Sequence, residues 1–165
     1  MGFESNTGLG VLAHYGVRTV DSKFGAEIDD DVIKTIQWTF SYNDLPTGAT
    51  HNLGASIPAN ATILSAKLQI IDAFTSTSTT TDLLVGLEQA DGTDIDLDGL
   101  ITAAQATQTT IAVVNSVIDG ASGTPGALIG TTIGTAAGEL IVTSSAADLL
   151  TGKARLIVQY IKRGL

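Results

Sequence analysis

Along most of this chain apolar and polar residues alternate with a period of two, the spacing of a β-strand that buries one face. From Ile57 to Ile71, the residues Leu64, Ala66, Leu68 and Ile70 fall on one side and Ser65, Lys67 and Gln69 on the other. Pro58 has no N–H to give to a ladder, so it marks where the paired region starts. The clearest alternation begins at Val32. Ile36, Trp38, Phe40 and Tyr42 share its parity, while Thr35, Gln37, Thr39 and Ser41 take the other. This predicts a long strand that turns the tryptophan into the core, where its large area would anchor packing. Leu83, Val85 and Leu87 predict a further short strand, Glu139 to Thr143 another, and Ala154, Leu156, Val158 and Tyr160 a last one. Thr109 to Val117, rich in Thr, Ile and Val, also reads as strand.

The segments between these runs carry turn chemistry. Asn43 to Gly48 is a turn, His51 to Ser56 a polar link, and Thr75 to Thr81 a solvated Ser/Thr loop. Gly120 to Gly126 is glycine-rich enough to suggest a phosphate cradle, but no Lys follows it and no strand–loop–helix context surrounds it. Two short helical stretches fit: Gly99 to Ala106 with Asp98 as its cap, and one turn over Ser144 to Leu150 closed by Thr151 and Gly152. Met1 to Gly16 has neither period and reads as an arm. The pattern predicts an all-β protein: an antiparallel two-sheet β-sandwich, jelly-roll-like, with one or two short helices. Residues 1–21 form an extended N-terminal arm and residues 22–165 a single sandwich domain.

Composition narrows the partners. The net charge is −9, and no Lys or Arg stands between Lys67 and Lys153, so direct nucleic-acid binding is not expected. No apolar run reaches the roughly 20 residues that span a bilayer, and the N-terminus has no basic region followed by an apolar block, so neither membrane nor secretion is expected. Without a secretion signal, the glycosylation match at Asn60-Ala61-Thr62 is incidental. With no cysteine there are no disulfides or thiolate metal sites. Charged residues are only 15% of the chain and the mean hydropathy is +0.29, which suggests a surface partly covered by partners, as in a homo-oligomer. The arm residues Phe3, Leu9, Val11, Leu12 and Tyr15 are then expected to lie on another chain.

Candidate chemistry concentrates in one acidic stretch, Asp91 to Gly99. Asp94, Asp96 and Asp98 have the spacing of a calcium loop, with Gly99 at its turn and Gln105 where a bidentate Glu would stand. Ile95 and Leu97 are apolar where such a loop is polar, and a strand rather than a helix leads in. A solvated acidic turn is therefore preferred to calcium, and no cofactor is expected. His14 and His51 are isolated, and no acid, base and nucleophile converge, so an enzyme is not expected.

With the strands placed, Ile57 to Leu68, Val85-Gly86-Leu87, Asp96 to Ile101, Gly138 to Val142 and Leu150 to Tyr160 together resemble β-sandwich virion proteins of tailed bacteriophages, most of all head decoration, or cement, proteins. The resemblance implies a non-enzymatic structural protein on the capsid exterior, made in the host cytoplasm, that bridges and stabilises major capsid protein subunits. It also implies a homo-oligomer, a trimer ahead of a dimer. Two alternatives share the sandwich: a tail or fibre component, and a calcium-assisted carbohydrate-binding module.

Overall fold

A computed structural model of the chain describes residues 33–45, 50–78, 80–145 and 149–162. Eight strands are present among them: β1 (Lys34–Ser41), β2 (Thr50–Ile57), β3 (Ala61–Ser76), β4 (Leu83–Glu88), β5 (Asp94–Ile101), β6 (Val117–Asp119), β7 (Gly138–Ser144) and β8 (Leu149–Lys162). A 3-10 turn, Tyr42–Asp44, follows β1, and a four-residue helix α1, Gln108–Ile111, precedes β6. The strands form two four-stranded sheets, β1-β8-β3-β6 and β2-β7-β4-β5. All pairings are antiparallel.

The strand order has a simple origin. The first four strands pair with the last four in mirror order, β1 with β8, β2 with β7, β3 with β6 and β4 with β5, as in one long hairpin. Rolling that hairpin up adds the β8–β3 and β7–β4 ladders. This is the jelly roll, and the expected all-β sandwich is the observed one. The core lies between the sheets. Ala66, Leu68, Ile70 and Phe74 of β3 and Leu156 and Val158 of β8 meet Val85 and Leu87 of β4 and Leu140 and Val142 of β7. Each fully buried Leu, Ile, Val or Phe contributes on the order of 1.5–3 kcal/mol of hydrophobic stabilisation.

Several expectations are corrected. Trp38 is 38% exposed, because among the described strands β1 lies at the edge of its sheet and pairs with β8 alone; the aromatic anchor is instead Phe40, 2% exposed, against Phe74 at 6.3 Å between ring centroids. Leu64 does not join Ala66, Leu68 and Ile70 inside. A register shift between Ile63 and Ser65 puts Ile63 into the core and Leu64 outside. The stretch from Ile57 is the end of β2, a corner at Pro58–Asn60 and then β3; Ala61 N–H bonds the Pro58 carbonyl, and Asn60 takes φ 61°. His51 to Ser56 is not a link but most of β2.

Gly99 to Ala106 is not a helix. Its first part ends β5, and the helix lies further on, as α1, where Thr109 to Val117 was expected to be strand. Thr151 and Gly152 close no helix either, since both lie within β8; residues 146–148 are outside the described residues. Gly152 is needed for packing: its φ is +130°, and a Cβ there would overlap the ring of Phe74. Gly120 and Gly126 are likewise packing glycines, because Cβ atoms there would meet the backbone of Leu100 and Gly99. They bring the β6–β7 loop against β5 rather than cradling phosphate.

That loop also seals β3. Gly130 N–H donates to the Ile63 carbonyl at 2.8 Å, Ile63 N–H to the Thr131 carbonyl at 3.0 Å, and Ile133 N–H to the Ala61 carbonyl at 2.9 Å. Thus the first turns of β3 have a partner on the side where β6 is too short to reach.

Candidate assembly surfaces

The residues expected to carry chemistry do not come together as a calcium loop. Asp94, Asp96 and Asp98 lie along β5, a strand, and among the described residues no group of three His, Cys, Asp or Glu is placed to hold a metal ion. Asp96 and Asp98 do approach each other. Burial, a hydrogen bond with Asp96 and the Asp96 charge all push the Asp98 carboxyl above its ordinary value. Gln105 has a different task from a calcium ligand. Its amide nitrogen donates to the carbonyls of Asp119, Gly120 and Ser122 at 3.2, 3.1 and 2.6 Å, and its oxygen accepts from Thr102 N–H at 2.9 Å. It closes the end of β6, a task that requires an amide donor and that a carboxylate would fail. Phe3, Leu9, Val11, Leu12, Tyr15 and His14 lie outside the described residues.

Beside the Gln105 clamp is an apolar edge that sequence reasoning missed. Val113, Val114 and Val117 are 54, 49 and 56% exposed. Val113 and Val117, with Ala104, Thr109 and Thr110, line an open groove of about 580 Å³ between α1 and β6. Thr109 to Val117 reads as strand from its Thr, Ile and Val content, which does not single out these valines as exposed. A short helix and a turn through Asn115, at φ 64°, turn them out instead. The turn-forming Asn-Ser pair at Asn115 and Ser116 was the available signal.

The two sheets also differ in charge. All cations in the described strands lie on one sheet: Lys34 on β1, Lys67 on β3, and Lys153, Arg155 and Lys162 on β8. Its acids are Asp72 and Asp119, the latter 3.7 Å from Lys67 in the one ion pair among the described residues. The strands of β2-β7-β4-β5 carry no Lys or Arg and hold Glu88, Asp94, Asp96, Asp98 and Glu139. Three of these form a row across adjacent strands: Glu139 is opposite Glu88, and Glu88 opposite Asp94. Directly opposed like charges destabilise a sheet. Asn52 of β2 reaches into the row, donating to Glu88 at 3.3 Å and to Glu139.

No protein-family model matches the chain, and no curated protein matches it. Solved structures do match in fold. A chain of the "Cyanophage Pam1 capsid asymmetric unit" aligns with a TM-score of 0.55 and 18% identity, over 79% of this chain and 84% of that one. A chain of the "Capsid of Ralstonia phage GP4" aligns with a TM-score of 0.55 and 19% identity, over 81% of this chain and 86% of that one. At these identities the likeness is one of fold. It spans most of both chains in each case. The β-sandwich expected from the resemblance to phage virion proteins is the fold that the chain has.

Proposed function

We propose that this jelly roll is a structural capsid protein of a tailed bacteriophage that decorates the exterior of the shell and holds major capsid subunits together. The observation that carries the reading is the fold likeness to chains of two phage capsids over about four-fifths of this chain. Two features agree with it. The described residues offer an apolar edge and charge-sorted faces, which suit binding between proteins, and the acids lie along strands instead of converging on a cleft. The mechanism would be physical: a protein that binds only the assembled lattice stabilises it by mass action, and many copies on one shell gain from shared geometry.

The partners in this reading are the major capsid protein and further copies of the chain, in a trimer rather than a dimer. No cofactor and no catalytic step enter. Shells lacking the protein provide the test: purified chain added back should co-sediment with them at a saturable ratio and raise the temperature at which they release DNA. Failure to bind, with unchanged release, would overturn the decoration role and favour a tail or fibre position.

A further inference from the structure

We infer that copies of this chain dock face to back, the outer face of sheet β1-β8-β3-β6 on the outer face of sheet β2-β7-β4-β5 of a second copy. The inference needs only a second copy, so it stands or falls separately from the capsid reading.

It rests on the complementarity of the two outer faces. Ala154, Leu156 and Val158 of β8 point into the core, so Lys153 and Arg155 point outward. Lys153 stands opposite Asp72 and Lys67 is bridged to Asp119, whereas Arg155 has Thr39 and Gln69 as its cross-strand neighbours, and neither can neutralise it. On the other sheet Leu87 and Leu140 point inward, so the Glu139–Glu88–Asp94 row points outward, with no cation in any strand of that sheet. A row of opposed carboxylates costs stability in an isolated chain, and a cationic face laid over it would remove that cost.

The overall charge of −9 sets the conditions. Packed sheets lie about 10 Å apart, and the Debye length is about 8 Å at physiological ionic strength. At that salt, each face meets its partner with its own sheet's charge while the far sheet is screened. At about 0.01 M the Debye length is about 30 Å, and whole-chain repulsion opposes association; at about 1 M it is about 3 Å, and the face-to-face attraction is lost. Self-association should therefore peak at intermediate salt. Opposite faces of one sandwich cannot both meet the same partner, so the contact is heterologous and closes into a ring or continues as a stack instead of ending at a two-fold dimer.

Sedimentation velocity of the full chain across these salts tests this. The wild type should form species beyond the dimer near 0.15 M and dissociate at both extremes. Lys153→Glu/Arg155→Glu should weaken self-association about tenfold, and so should Asp94→Lys/Glu139→Gln, whose Asp94 is exposed. Mixing the two variants should restore one contact and give a 1:1 pair, because each supplies the face that the other lacks. Circular dichroism would confirm that both fold. A wild type that stays monomeric at every salt, association that rises or falls steadily with salt, or a mixture that does not recover would each overturn the inference.

Discussion

The sheets β1-β8-β3-β6 and β2-β7-β4-β5 have the same number of strands and share one core, yet they are built differently. The first is built on two long strands, β3 of 16 residues and β8 of 14, whose ladder runs nearly the whole length of both, with β1 of 8 and β6 of 3 at its edges. It carries the cations and closes on an aromatic pair, Phe40 and Phe74. The second has strands of 6 to 8 residues, carries only acids, and is bent by a register shift where β5 crosses Gly86. The long β3–β8 ladder ties the first sheet together across four register shifts, while the second sheet holds the opposed carboxylates. The cost of opposed carboxylates falls on the second sheet, whose outer face is inferred to meet the cation-bearing sheet of another copy.

The largest expected effects come from the glycines that let each sheet close. At Gly86 a Cβ would overlap the backbone of Asp96 and Leu97, so Gly86→Ala should cost about 3 kcal/mol, and no change of a neighbouring side chain should recover it. At Gly152 the obstruction is the Phe74 ring, a side chain. Gly152→Ala should cost a similar amount, but Phe74→Leu in the same chain should return part of it. Urea unfolding of the two single variants and the double variant measures both. No recovery in the double variant would show that the Phe74 ring is not what Gly152 makes room for.

Gln105→Glu comes next. It replaces a donor to three carbonyls with a group that can only accept, and should cost about 1–3 kcal/mol. Hydrogen exchange should show the loss concentrated at β6 and its loop. Even loss across both sheets would mean that the clamp does not act locally.

Much of the architecture was legible in the alternation itself. β4, β7, β8 and most of β1 and β3 follow it, since one buried face is all that a period of two requires. The failures have physical causes. Periodicity gives parity but does not say whether a strand is at an edge, so Trp38 has inward parity yet remains 38% exposed. It cannot anticipate a bulge, so Leu64 changes side. In β5 the carboxylates and Gly99 resemble loop chemistry, although Asp94 to Asp98 alternates as a strand does. The candidate surfaces were least legible. The acidic middle of the chain was plain, but only the roll assigns Glu88, Asp94, Asp96, Asp98 and Glu139 to one sheet, and only the turn at Asn115 exposes the valines.

A smaller effect sharpens the charge comparison. Glu139→Gln relieves the opposed carboxylates and should raise stability by about 0.2–1 kcal/mol, whereas Arg155→Gln should leave the isolated chain unchanged. Thermal melts at low protein concentration decide it. A loss of stability in Glu139→Gln would show that its bond with Asn52 outweighs the repulsion.

The pH dependence gives the smallest effects, with opposite signs. Ser41 donates its backbone N–H and its hydroxyl to Asp44 at 2.8 and 2.9 Å, which lowers the Asp44 carboxyl below its ordinary 3.8. Its contribution is present above 3.8 and lost as pH falls through the lowered value. Asp98 is raised above 3.8, so its contribution is complete below 3.8 and lost as pH rises through the raised value. Asp44→Asn should therefore lower the melting temperature at neutral pH and not in strong acid. Asp98→Asn should raise it at neutral pH, with the difference vanishing in acid. The reverse order would mean that these carboxyls titrate in surroundings other than those described.

The most direct test of a capsid role is to image the particle that carries this chain. The expected result is density for a two-sheet jelly roll on the outer surface of the shell, where major capsid subunits meet, with β1-β8-β3-β6 of one copy facing β2-β7-β4-β5 of the next. Density confined to the tail, or no copy in the particle, would contradict it.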